Sequence, residues 1–271
     1  MILSDMHTHS EHSHDSECPV CDMCKSEIKN KVSVMAVTDH CDILFSKDID
    51  VFTPIKNSYN DADEINKQFD SIEILKGIEI CETFWYPEET EKALNMLDYD
   101  VVIGSVHAVK YKNYTFPFSK INFSEMITEE ISEFMHAYFD DMLAMLRTTD
   151  MDILAHLTNP LRYINGLYGI GFELKPYYGK ISEILNYIIK HNIALEVNTS
   201  DLKKLGALTP DEEILTMYYN YGGYLITLGS DAHVAENAAY GFDFAIDTLK
   251  KIGFKNIYYY KKRKSIACEI D

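Results

Sequence analysis

The chemistry of this chain begins with two histidines set two residues apart, His7 and His9, just after a short apolar start. In an extended backbone, side chains at i and i+2 point the same way, so the two imidazoles converge on one point, as a transition-metal site requires. The spacing returns late in the chain as Asp231 and His233 within Ser230-Asp231-Ala232-His233. Between these pairs, short apolar or β-branched runs end in further ligand-type residues: Thr38-Asp39-His40, Gly77-Ile78-Glu79, Ser105-Val106-His107, Ala155-His156 and Glu196-Val197-Asn198, with Asp15 a few residues after the first pair. A single histidine at a strand end usually hydrogen-bonds within a loop, and a single glutamate there is usually solvated. Nine nitrogen and oxygen ligands, His7, His9, Asp15, His40, Glu79, His107, His156, Asp231 and His233, are more than one ion can use beside a substrate. Two or three divalent ions are implied, and mixed imidazole and carboxylate ligands suit Zn, Fe or Mn. Closely spaced ions of this kind clamp the attacking and leaving oxygens of phosphoester hydrolysis.

These residues act together only if the fold brings strand ends to one place. Runs at 2–6, 32–38, 72–80, 101–106, 152–155, 193–197 and 223–229 read as strands. Helical periodicity falls between them at 62–69, 88–97, 124–147, 178–191, 210–221 and 238–252. Thr209 as N-cap, Pro210 at the first position and Glu212 closing a capping box mark one helix start. A last strand is expected at 256–260. Alternating strands and helices argue for parallel βα units, and this many units argues for closure into a barrel, whose C-terminal rim gathers the strand ends. With no linker-like or low-complexity stretch, residues 1–271 read as one domain. The segment 111–124, with Pro117 and several aromatic residues, reads as a lid or pocket wall.

A net charge of −18 argues against nucleic acid as a partner, and no apolar run approaches the length of a membrane span. The chain reads as soluble and cytoplasmic, its oligomeric state open. Lys261-Lys262-Arg263-Lys264 reads as a solvated tail, and the cysteines, including Cys18, Cys21 and Cys24, as reduced packing residues.

Quoted in order, His7-Thr8-His9, Asp15, Thr38-Asp39-His40, Gly77-Ile78-Glu79, Ser105-Val106-His107, His156, Glu196-Val197-Asn198-Thr199 and Ser230-Asp231-Ala232-His233 resemble the PHP (polymerase and histidinol phosphatase) superfamily, and within it the histidinol-phosphate phosphatases. The resemblance implies a distorted (βα)7 TIM-like barrel and three metals. The first would take His7, His9, Glu79 and Asp231, the second Glu79, His107 and His156 with Glu79 bridging, the third Asp15, His40 and His233. It further implies a metal-dependent phosphomonoesterase acting on L-histidinol phosphate, with other small phosphate esters, nucleotides among them, as the alternative. Arg162 resembles the arginine that grips the substrate phosphate, Lys203 stands where a second basic residue is expected, and His40 faces the same substrate. Asp231 and His233 are the candidates for proton transfer to the leaving group, with Arg162 neutralising the phosphoryl oxygens.

Overall fold

The computed structural model describes residues 2–112 and 116–270. Among the described residues, ten strands and eight α-helices follow one another along the chain. The strands are β1 (Ser4–Thr8), β2 (Val34–Val37), β3 (His40–Asp42), β4 (Glu73–Cys81), β5 (Val101–Ser105), β6 (Ile153–Leu154), β7 (Ala194–Asn198), β8 (Ile226–Gly229), β9 (Asn256–Lys261) and β10 (Lys264–Glu269). The helices are α1 (Val20–Lys29), α2 (Phe52–Asn66), α3 (Pro87–Asn95), α4 (Thr128–Thr148), α5 (Tyr178–His191), α6 (Leu202–Leu205), α7 (Glu212–Asn220) and α8 (Phe242–Ile252).

Seven strands pair in parallel in the order β1-β2-β4-β5-β6-β7-β8, with β3 added beside β4. Beyond β8 the chain returns to β1: Asp231 N donates to His7 O at 2.8 Å and His9 N donates to Ala232 O at 2.9 Å. The result is a nearly closed parallel barrel with helices outside it. Buried apolar side chains divide accordingly. One cluster joins the strands to the helices through Met23, Ile55, Phe139, Ile184, Leu215 and Leu249. The other takes Met6, Ala36, Leu75, Ile103, Ile153 and Ala194 from the strands and their flanks, and Tyr260 of β9 packs with it. Glu79 and Glu196 continue the alternation set by Leu75 and Ala194, so the side that holds this second cluster low in the barrel carries carboxylates at its top.

The strand and helix expectations hold in type, with three corrections. The helix expected at 62–69 is the end of the longer α2, whose start is masked by a polar run and by Pro54 in its first turn. The start of α7 is not capped by Thr209: Asp211 is the N-cap and accepts from Ile214 N at 3.0 Å, while Thr209 Oγ1 donates to Asp201 Oδ2 at 3.0 Å. The basic run is no solvated tail. Lys262 and Arg263 sit at φ 51° and 60°, the left-handed pair of a two-residue hairpin turn between β9 and β10. Arg263 Nε pairs with Asp152, its backbone N donates to Asp100 O at 2.8 Å, and Lys262 N donates to Asp100 Oδ1 at 3.0 Å. The hairpin thereby closes the N-terminal end of the barrel. Of the expected lid, residues 113–115 lie outside the described residues, and the rest forms short turns of helix at Phe118–Lys120 and Phe123–Glu125.

Cys18 and Cys24 are buried beside and within α1, and the converging groups of ligand atoms among the described residues do not include them. Among the described residues no helix is long and apolar enough to cross a membrane.

Candidate active site

The C-terminal ends of the strands gather the predicted ligands. His7 and Glu79 are fully buried, as is His9, while the side chains of His233 and Asp15 are 24% and 46% exposed, so the cluster runs from a dry floor to an open mouth. Two of these residues sit in left-handed backbone that side chains adopt at a cost: His156 at φ 22° and Asp231 at φ 51°.

Glu79 is the centre. Its Oε1 lies 3.0 Å from His156 Nε2 and 3.4 Å from His107 Nε2. Its Oε2 lies 2.6 Å from His40 Nδ1, 3.5 Å from His7 Nε2 and 3.7 Å from His9 Nε2, yet takes part in no well-directed hydrogen bond. Asp231 Oδ1 is 3.2 Å from His9 Nε2 and 3.8 Å from His7 Nε2. Asp15 Oδ1 is 3.5 Å from His40 Nε2 and 3.3 Å from His233 Nε2. The nine sequence-predicted ligands therefore meet at one rim.

Ring nitrogens face one another at three places: His7 Nε2 and His9 Nε2 at 3.1 Å, His233 Nε2 and His40 Nε2 at 3.4 Å, and His107 Nε2 and His156 Nε2 at 3.5 Å. The far nitrogens explain what this means. His7 Nδ1 is 2.6 Å from Glu196 Oε1, and a carboxylate only accepts, so the ring proton is at Nδ1. His9 Nδ1 is 3.0 Å from Ser13 Oγ, whose own proton goes to Asp39 Oδ1 at 2.6 Å, so His9 also carries its proton at Nδ1. His233 Nδ1 donates to Asp231 O at 2.9 Å. Neutral His7 and His9 in these tautomers would point their Nε2 lone pairs at each other at 3.1 Å. A cation between them resolves the conflict, and the donor set of imidazoles and carboxylates suits a divalent transition metal. The residues present fit such ions.

The electrostatics lead the same way. Burial disfavours a charged His40, but Glu79, Asp42 and Asp15 raise it to about 10. Burial likewise opposes charge on His7, and Glu196, Glu79 and Asp231 override it. His9 is pushed down to about 3 by burial and by its neighbours His233 and His40. Burial pulls Glu79 and Asp231 upward, yet the surrounding cationic groups hold both well below the usual carboxylate range. The rim is a set of ionised carboxylates that demands positive charge at its centre.

A cavity of about 600 Å³ opens above this centre, and Asp15, His233, Arg162, Tyr163, Phe116 and Lys120 are among its walls. Arg162 comes from the turn after β6. Its Nε donates to Asp201 Oδ1 at 2.6 Å and its Nη2 to Asp231 Oδ2 at 3.0 Å, which fixes the guanidinium plane against the site. Lys203 does not join it. Its ammonium donates to Asn237 Oδ1 at 2.7 Å and lies 4.2 Å from the ring centre of Tyr240, because the acidic partner nearest Arg162 in this loop is the buried Asp201.

Three supporting residues were quoted in the sequence motifs or lie near them without a role that spacing could reveal. Asp39 is buried and accepts from the hydroxyls of Ser10, Ser13 and Ser58, each at 2.6 Å. Glu82 accepts from the backbone N of His107 at 2.6 Å and of Ala108 at 2.8 Å, and burial pushes its carboxyl up to about 7. Asp42 Oδ1 lies 3.5 Å from His107 Nδ1; burial pushes its carboxyl up, but His107, His40 and His14 bring it down to about 2.

Probable histidinol-phosphatase of Thermotoga maritima is 26% identical over 93% of this chain and 94% of its own length. The probable histidinol-phosphatase of Clostridium acetobutylicum is 26% identical over 98% of this chain and 100% of its own. Among solved structures, histidinol phosphate phosphatase from Lactococcus lactis, complexed with Zn, L-histidinol and phosphate, superposes with a TM-score of 0.78 at 22% identity, covering 97% of this chain and 98% of that one. Residues 5–200 match the PHP domain, from the strand that carries His7 through the turn that follows Asn198, and the chain belongs to the PHP domain family.

Proposed function

We propose that the protein is a divalent-metal-dependent phosphomonoesterase and that its substrate is L-histidinol phosphate. The observation that carries the metal reading is the facing of imidazole nitrogens whose protons are fixed on the far side of each ring. The substrate comes from the names of the relatives, which match over nearly their whole length.

His7, His9, Glu79 and Asp231 would hold one ion, Glu79, His107 and His156 a second, and Asp15, His40 and His233 a third; zinc, iron or manganese suits these donors. Bound there, divalent ions neutralise phosphoryl oxygens and make water a nucleophile near neutral pH. The chain's own residues do the rest. Asp201 and Asp231 hold Arg162 through Nε and Nη2, and its remaining N–H donors serve a phosphoryl oxygen at the cavity wall. Asp231 is held ionised by His7, His9, Arg162 and His233 against the pull of burial, so it anchors rather than donates a proton. The alkoxide's proton then comes from water in the open cavity. Phe116 and Tyr163 give that cavity an aromatic flank suited to a small ring-bearing alcohol.

The test is kcat/KM for L-histidinol phosphate beside nucleotides and sugar phosphates on metal-reconstituted protein. A preference on the order of several hundred-fold, about 3 kcal/mol of differential transition-state binding, is expected. Equal or nucleotide-leaning turnover would overturn the substrate and keep the metal chemistry.

A further inference from the structure

One buried carboxylate beside the centre belongs to none of the three candidate metal groups. Glu196 on β7 is 1% exposed. Its Oε1 lies 2.6 Å from His7 Nδ1, and its Oε2 accepts from the backbone N of His156 at 2.7 Å and from Asn198 Nδ2 at 3.1 Å. The bond to His156 falls where that residue occupies left-handed backbone, so Glu196 holds a conformation the side chain would otherwise leave. Room for it is kept by Gly229 of the neighbouring strand, where a Cβ would collide with Glu196 Oε1 and come within 2.8 Å of His7 Cβ.

The partners of Glu196 are donors at both oxygens. A carboxylate meets that demand and an amide does not, since an amide offers one accepting oxygen. An accepting oxygen at His7 Nδ1 also fixes the proton there and turns the Nε2 lone pair toward His9, Glu79 and Asp231.

We propose that Glu196 is a positioning residue for divalent-cation binding, setting the tautomer of His7 in one candidate group and the backbone of His156 in another, so that one carboxylate ties two ion positions together. This rests on the metal reading of the rim and is independent of the substrate. In a Glu196→Gln variant the amide has two ways to sit. Donating to His7 Nδ1, it drives the ring proton to Nε2 and removes that ligand atom. Turned over, it sets NH2 against the His156 N–H and releases that backbone. Either way an ion position weakens, by about 10–100-fold, the usual cost of losing a carboxylate behind a ligating histidine.

The experiment titrates metal-free wild type, Glu196→Gln and Glu196→Asp with Zn²⁺ or Mn²⁺ by calorimetry and counts ions per chain by mass spectrometry. Long-range ¹⁵N–¹H NMR reads the ring proton of His7 in metal-loaded wild type. Expected are tight binding by wild type, binding weakened about 10–100-fold in Glu196→Gln, partial recovery in Glu196→Asp with both acceptors kept, and a His7 proton at Nδ1. A role confined to packing would lower the melting temperature and leave ion count and affinity alone. Unchanged binding by Glu196→Gln, or a His7 without a proton at Nδ1, overturns the proposal while the metal reading stands. Wild type that binds no ion overturns both. Should Glu196→Gln fail to fold, the NMR measurement on wild type decides the matter.

Discussion

At the N-terminal ends of the strands, charges find each other: Arg263 closes on Asp152, Lys261 on Glu73, and Asp100 accepts the backbone of the hairpin turn. At the C-terminal ends, Glu79 lies within 4 Å of nitrogens from five imidazoles; two pairs of those rings, and His40 with His233, meet nitrogen to nitrogen. Two ends of one barrel thus treat buried charge in opposite ways. Charges matched inside the chain hold the fold, whereas crowded carboxylates and imidazoles that leave atoms such as Glu79 Oε2 without a directed hydrogen bond keep bonding capacity for a ligand. A buried carboxylate anchors each arrangement, Asp152 at one end and Glu79 at the other, so burial alone does not separate a site from a brace; the state of pairing does.

That contrast breaks most sharply at Glu79. Glu79→Gln is expected to lose bound metal and to lower kcat/KM by about 10³-fold or more, since bound ions supply several kcal/mol of transition-state stabilisation; metal analysis with phosphate release checks it. At the opposite end, Arg263→Ala leaves Asp152 buried without its cation and should lower unfolding free energy by about 1–3 kcal/mol, with ions per chain unchanged. Denaturant melts and metal analysis on one preparation separate the two effects.

A third arrangement lies between β1 and α1, where Asp5 and Glu27 are buried together. Burial pushes Asp5 up to about 6, and burial, with the neighbouring Asp5, raises Glu27 well above the usual carboxylate range. Acids whose folded pKa is raised stabilise the fold below their unfolded pKa, and that contribution is lost as pH rises through the folded value. Stability should therefore fall as pH rises from about 4 through about 6 on account of Asp5, and Glu27 adds to the fall in the same direction. Glu27→Gln donates to Asp5 without needing a proton, so its melts should lose much of this slope and gain on the order of 1 kcal/mol at pH 8 relative to wild type. An unchanged slope in Glu27→Gln contradicts the assignment of this pH dependence to the buried pair. The smallest effect belongs to Lys203, tied to Asn237 outside the cavity walls: Lys203→Ala should change kcat/KM by less than about twofold, as expected for a surface contact.

The rim was readable in the sequence because every ligand but Asp15 sits at or just past the end of a short apolar run, and a parallel barrel converts strand ends into one place. Local spacing accounts for His7 with His9 and for Asp231 with His233. What spacing hides is which partner fixes each ring: Glu196 and His7 are 189 residues apart, and their bond exists only after β7 and β1 are both in the barrel. The same separation concealed the hairpin brace, since Arg263 finds Asp152 across 111 residues and a run of basic residues otherwise reads as solvated. Lys203 failed for a related reason. Nearness in sequence to Asn198 and Thr199 does not fix direction, and the buried Asp201 took the place beside Arg162. The masked start of α2 and the misread cap at Thr209 were local ambiguities of polar sequence, settled by tertiary contacts.

Ions bound at the rim and turnover should rise together. Metal-free protein should be titrated with Mn²⁺ or Zn²⁺ while phosphate release from L-histidinol phosphate is followed against ions bound per chain. Turnover absent at zero ions, rising as the Glu79-centred positions fill and abolished by chelation, is the predicted result. Full turnover by ion-free protein in excess chelator would contradict it.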